Sequence, residues 1–145
     1  MEIRFMQAKD VAAVAALEQI CFSDPWSENS IASELENKLS CWLVAVIDGN
    51  LAGYIGSQTV LDASDMMNIA VAPQYRRQGI AEALILALCE KLIERKAICL
   101  LLEVRASNLP AISLYEKLAF KSVGLRKNYY RNPKEDALIL RKELL

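Results

Sequence analysis

The stretch Arg76-Arg77-Gln78-Gly79, set between the apolar run Ile69-Ala70-Val71 and the helix-patterned Ile80-Ala81-Glu82, has the chemistry of an anion site. A helix start leaves backbone N–H groups unpaired and carries partial positive charge, so a turn exposing them beside two arginines attracts a pyrophosphate. Gly79 lets the backbone come close to such a ligand and take positive φ where the turn requires it. With one glycine and no following Lys-Ser/Thr, the spacing matches neither the dinucleotide fingerprint nor a Walker loop. Glu103, inside the apolar run Leu100 to Val104, is a candidate general base. Its plainer alternatives are an outward-facing strand end or an ion pair with Arg105, and Arg105 is expected on the opposite face of the strand. Asn108 and Tyr115 stand about two helical turns apart and face one cleft if their helix packs across the Glu103 strand. Asn108 reads equally as a helix cap, and Tyr115 as a half-buried core aromatic.

The chain contains no histidine, which excludes the usual Ser/His and Cys/His nucleophile pairs and leaves Asp, Glu, Tyr or Lys as the base. Cys21, Cys41, Cys89 and Cys99 are widely spaced in apolar surroundings, so core thiols are expected, with no disulfide framework and no metal site. At 145 residues, 54% hydrophobic and with a net charge of −1, the chain is expected to form one soluble domain over residues 1–145. Neither nucleic acid nor membrane is expected as a partner, and without an apolar signal core or a membrane span the expected location is the cytoplasm.

The pattern predicts an edge strand at residues 3–5 and a helix from Asp10 to Ile20 with Val11, Val14, Leu17 and Ile20 on one face. Asp24-Pro25-Trp26-Ser27 breaks that helix, and Ser27 caps a second one through about Leu35. Trp42 to Ile47 and Leu51 to Val60 form a hairpin about Asp48-Gly49-Asn50. Met66 to Val71 is the strand feeding the phosphate turn, and Ile80, Ala83, Leu84, Ala87, Leu88 and Leu92 are the buried stripe of the following helix. Ile98 to Val104, a helix from Leu109 to Leu118, and strands at Phe120 to Leu125 and Ala137 to Leu144 complete an α/β (α+β) order: one central sheet with helices on both faces.

The block Asn68-Ile69-Ala70-Val71-Ala72-Pro73 followed by Arg76-Arg77-Gln78-Gly79-Ile80-Ala81 resembles the acetyl-CoA motif of the GNAT family of N-acetyltransferases. Ala81 stands at the motif's second glycine, and Ala72 stands where Asp often precedes the proline. More narrowly, Leu102-Glu103-Val104-Arg105-Ala106-Ser107-Asn108, Ala111 to Phe120, Asn128-Tyr129-Tyr130 and Glu135-Asp136-Ala137 are similar to bacterial ribosomal-protein alanine N-acetyltransferases, over almost the whole chain. The resemblance implies the GNAT fold, with a mixed, mostly antiparallel sheet. It implies that backbone groups of Ile69, Ala70 and Val71 hold the pantetheine arm of acetyl-CoA, that Arg76, Arg77, Gln78, Gly79, Ile80, Ala81 and Glu82 surround the pyrophosphate, and that Asn108 bonds the arm near its reactive end. Glu103 would accept the proton of the attacking amine and Tyr115 would protonate the departing thiolate, without a metal. The implied acceptor is the N-terminal alanine of a small-subunit ribosomal protein, held between Trp26 and the pair Tyr129 and Tyr130, by an enzyme acting as a monomer or weak dimer. Read from the residues alone, Trp26 is equally a loop aromatic plugging the core and the tyrosines a strand end with solvated hydroxyls. Small-molecule amine acetylation and a non-catalytic acetyl-CoA-binding module are the alternatives.

Overall fold

A computed structural model describes residues 1–144, leaving Leu145 of the expected single domain outside the described residues. Seven strands form one sheet in the order β1-β2-β3-β4-β5-β7-β6: β1 Glu2–Phe5, β2 Ser40–Ile47, β3 Asn50–Val60, β4 Ala63–Val71, β5 Cys99–Arg105, β6 Lys121–Arg131 and β7 Lys134–Glu143. Every neighbouring pair is antiparallel except β4 and β5. The helices are α1 Val11–Cys21, α2 Glu28–Glu34, α3 Ile80–Glu94 and α4 Leu109–Lys117. Among the described residues no helix is long and apolar enough to cross a membrane.

Strand alternation divides the core between the two faces of the sheet. Leu43, Ala45 and Ile55 turn toward α3 and α4, where they meet Leu84, Leu88 and Tyr115; Trp42, Val44 and Tyr54 turn toward α1 and α2, meeting Val14, Leu17 and Ile31. At the β2–β3 hairpin, Asp48 (φ 50) and Gly49 (φ 80) are the two central residues, the paired positive φ angles of a type I′ turn.

The expected face of α1 needs one correction. Ile20 is 66% exposed, whereas Glu18 is 0% exposed. Three-residue steps each fall about 60° short of a full turn, so Val11, Val14, Leu17 and Ile20 drift halfway round the helix, while seven residues carry Val11 almost back to Glu18. The α3 stripe also shifts: Ala83 and Ala87 are half-buried, and Ile85 and Cys89 join Ile80, Leu84, Leu88 and Leu92 inside.

Gly56 pairs directly with Trp42, whose ring lies across the glycine; a Cβ at Gly56 would sit 2.4 Å from the indole. That ring also stacks on Tyr54 at 5.9 Å and meets Trp26 edge-on at 5.4 Å. Replacing Gly56 with Ala is therefore expected to lower stability by about 1–3 kcal/mol, read as a lower Tm, because no side-chain rotation relieves the clash. An unchanged Tm would contradict this packing.

Candidate active site

β4 and β5 pair only at Ala63↔Cys99, Ser64↔Leu100 and Asp65↔Leu101. Beyond that point β4 continues to Val71 beside β3, β5 continues to Arg105 beside β7, and their facing edges diverge. A bulge starts the divergence: Gly56 faces Asn68 and Ser57 faces Met66, leaving Met67 as the extra residue. Backbone groups along this opening have no strand partner; the Val71 carbonyl accepts from Arg76 Nε at 3.3 Å, and the other edge groups are open to a ligand. Two clefts meet there, sharing Ile69, Asn108, Ala111 and Tyr115.

The smaller cleft, of about 480 Å³, runs from Ile69, Ala70 and Val71 to the basic turn. Arg77 (φ 64) and Gly79 (φ 76) both take left-handed conformations, and a Cβ at Gly79 would meet nothing within 4 Å. For a non-glycine residue such as Arg77 that conformation is costly and is characteristic of functional turns. The first α-helical bond of α3 runs from Ala83 N–H to the Gly79 carbonyl at 3.1 Å, so the N–H groups of Ile80, Ala81 and Glu82 precede the helical ladder and are open to an anion. Arg76, Arg77, Gly79, Ile80, Ala81 and Glu82 all line this cleft, whereas Gln78 is exposed outside its lining. The carboxylate of Glu82 is held by Lys117 at 3.2 Å. An elongated ligand with an anionic end fits this cleft: an unpaired strand edge for its polar backbone, a helix start and two arginines for its charge.

Asn108 caps α4, its Oδ1 accepting from Ala111 N–H at 3.3 Å, and it also lines both clefts. Cap and cleft are therefore compatible, since the side-chain amide retains its donor end. Tyr115 is 7% exposed and packs edge-on against Phe120 at 5.4 Å. Burial, with the neighbouring Tyr130 adding to it, pushes its phenol up to about 12, so it keeps its proton throughout the physiological range.

The second cleft, of about 960 Å³, is lined by Glu103, Tyr115, Trp26, Tyr129 and Tyr130. Although Glu103 lies inside an apolar run, its side chain is 31% exposed, and Oε1 pairs with Arg126 Nε at 3.3 Å. Residues of β5 alternate, and Arg105, two positions on, shares the face of Glu103 instead of opposing it. The two still do not pair, because Arg105 is committed to Glu135 at 3.3 Å and to the Pro133 carbonyl at 2.8 Å. Glu135 in turn accepts from Ser107 N–H at 2.6 Å, and hydrogen bonding from the Ser107 side chain and backbone, then from Arg105, holds its carboxyl below the usual range.

Both tyrosines of the pair lie within β6, which extends beyond the expected end at Leu125 to Arg131. A second bulge separates Arg126↔Ala137 from Tyr130↔Glu135, and Asn128 (φ 54) at its centre donates its N–H to Asp136 Oδ1 at 2.8 Å. With this bulge in a strand exposed along almost its whole length, no alternation marks its full extent. Tyr129 meets Tyr130 edge-on at 5.1 Å, and Arg105 covers the Tyr130 ring at 4.3 Å. Half-buried and surrounded by Tyr129, Glu103 and Glu135, Tyr130 is also pushed up to about 12. Across the cleft, Ser23 Oγ reaches the Asn132 carbonyl at 3.3 Å, tying the α1–α2 loop to the β6–β7 turn. Glu18, Asn68 and Arg126 are parts of this neighbourhood that motif spacing did not single out as site residues. The seven-residue step from Val11 was the available signal for Glu18.

The acetyltransferase (GNAT) family model matches residues 11–120. Over 141 residues the chain is 40% identical to the [ribosomal protein bS18]-alanine N-acetyltransferase of Escherichia coli K12, spanning 95% of this chain and 94% of that one. A Bacillus subtilis 168 protein, provisionally named for the same activity, is 42% identical over 139 residues, covering 95% and 92%. The crystal structure of the ribosomal-protein-S18-alanine N-acetyltransferase from E. coli superposes with a TM-score of 0.91 at 37% identity, over 99% of this chain and 93% of that one.

Proposed function

Because the chain belongs to the GNAT acetyltransferase family, we propose that it transfers the acetyl group of acetyl-CoA to the N-terminal α-amino group of a protein, the N-terminal alanine of ribosomal protein bS18. The observation that carries this reading is the meeting of the two clefts: Tyr115, Asn108 and Ile69 stand at the junction, with Glu103 in the larger cleft. Relatives at 40% and 42% identity, matched over nearly their full lengths, supply the choice of acceptor. On this reading the activity belongs in the cytoplasm, where the proposed ribosomal substrate is made.

Acetyl-CoA would supply a thioester carbonyl at this junction. The Ile69 to Val71 edge and the Asn108 amide would hold its arm, and the Arg76 to Glu82 turn its phosphates. Free backbone N–H groups along β4 provide an oxyanion hole, an arrangement worth roughly 3–4 kcal/mol per well-placed donor in the transition state. An α-amine has a pKa of about 7.7–8.0 and is mostly protonated at neutral pH, so attack needs a proton acceptor. Glu103 provides one: Arg126 holds Oε1, leaving Oε2 for the amine or an intervening water. Tyr115, which lines both clefts and keeps its proton, would stand beside the leaving sulfur. A thiol titrates near 8.5, so complete transfer from a phenol at about 12 is uphill by roughly three-thousandfold; the favourable act is a hydrogen bond to the departing sulfur, which then takes up the proton the amine releases.

Thiol release from acetyl-CoA tests the function. A peptide copying the bS18 N-terminus should support turnover; the same peptide blocked at its α-nitrogen should not. Turnover with a polyamine alone would overturn the reading in favour of small-molecule acetylation. Reversing charge with R76E/R77E is expected to weaken CoA binding by about tenfold or more, with the deficit shrinking as salt rises. A salt-independent loss would instead indicate a distorted turn.

A further inference from the structure

Glu18 is fully buried, and no step of the proposed chemistry uses it. Its two oxygens serve two different elements. Oε1 accepts from Trp26 N–H at 2.8 Å, on the loop over the acceptor cleft; Oε2 accepts from Asn68 Nδ2 at 2.7 Å and from the Tyr54 hydroxyl, on the sheet below. Burial pushes the carboxyl up, while the Trp26 and Asn68 donors pull against it.

The consequence falls on Asn68. A carboxylate only accepts, so the amide must turn Nδ2 toward Glu18, and the planar group then points Oδ1 away. Among the described residues Oδ1 accepts no hydrogen bond, and the buried unpartnered side-chain atom is Ser40 Oγ instead. Asn68 lines the acceptor cleft, next to the Met67 bulge where β4 leaves β5 and one residue before Ile69. Its carbonyl oxygen therefore opens onto the cleft as a neutral acceptor. An amine and a peptide N–H are donors in need of such a group, and a neutral oxygen orients an amine without holding it as the ammonium, as a carboxylate would.

We infer that Glu18 orients Asn68 so that the Asn68 carbonyl oxygen receives an N–H at the amine-bearing end of the acceptor chain. The inference rests on the acceptor cleft of the proposed function. Asn68 is then a substrate contact and Glu18 a positioning residue acting through it.

Steady-state kinetics with the free-amine peptide, alongside thermal unfolding of each variant, test it. N68A is expected to raise the peptide KM by about tenfold, with acetyl-CoA KM and kcat nearly unchanged, as one lost hydrogen bond predicts. E18Q should do the same, because a glutamine directing its oxygen to Trp26 N–H presents its NH2 to Asn68 and flips that amide. In E18Q/N68D the glutamine donates to one oxygen of the introduced carboxylate while the other faces the cleft, so the peptide KM should recover most of the loss. Wild-type peptide KM in N68A overturns the inference even if E18Q fails to fold. So does a folded E18Q defect that the double variant leaves in place, or an equal rise in acetyl-CoA KM. A wild-type enzyme silent on the peptide would end the functional reading itself, a result separate from any of these.

Discussion

Glu103→Gln is expected to lower kcat for peptide acetylation by roughly 10²- to 10⁴-fold while leaving acetyl-CoA affinity intact, the range ordinarily lost with a positioned base. Glutamine keeps the shape of the side chain and its place in β5, between the buried Leu102 and Val104. What it loses is the capacity to take a proton. The deficit should be greatest below about pH 8, where the α-amine is mostly protonated, and should narrow above it as the substrate arrives neutral. Arg126, 55% exposed and paired with Glu103, makes a useful companion. Arg126→Ala frees Oε1 without removing the base, so activity should persist. Turnover of Glu103→Gln equal to wild type across pH would remove Glu103 from the role.

Tyr115→Phe is expected to cost roughly a hundredfold in kcat at similar acetyl-CoA affinity, within the range for loss of one positioned hydrogen-bond donor to a developing negative charge. Burial of the ring against Phe120 gives the residue a packing role, which phenylalanine preserves; the hydroxyl alone is removed. A phenol held up to about 12 does not ionise in the assay range, so the wild-type pH–rate profile should carry no limb from Tyr115 below that value. Loss of Tm with normal kcat would identify Tyr115 as a core aromatic only.

Local chemistry made much of this site legible in the sequence. The run Arg76 to Glu82 carries its own signals, glycine at the αL position and an amphipathic helix behind it, and its members except Gln78 line the cleft. Asn108 and Tyr115 lie on one helix, so their common outlook follows from helical spacing. Less legible was what depends on pairing between distant segments. Whether Glu103 meets Arg105 or Arg126 is decided by where β7 and β6 lie against β5, a matter of sheet order. The divergence of β4 from β5 has no signature in either strand alone. Likewise, more than half of β6, from Arg126 onward, carries no alternating pattern, because the strand is exposed along almost its whole length and the bulge between Arg126 and Tyr130 puts two extra residues into it. Glu18 escaped notice as a charged residue on a helix face taken to be apolar, although its seven-residue distance from Val11 marks the interior.

The most direct test of α-amino acetylation is to locate the acetyl group on the product. A peptide with the bS18 N-terminal alanine and one internal lysine would be incubated with the protein and acetyl-CoA and then fragmented in a mass spectrometer. One acetyl group on the alanine nitrogen, with the lysine unmodified, is the predicted result. Acetylation of the lysine while the alanine nitrogen stays free would contradict it.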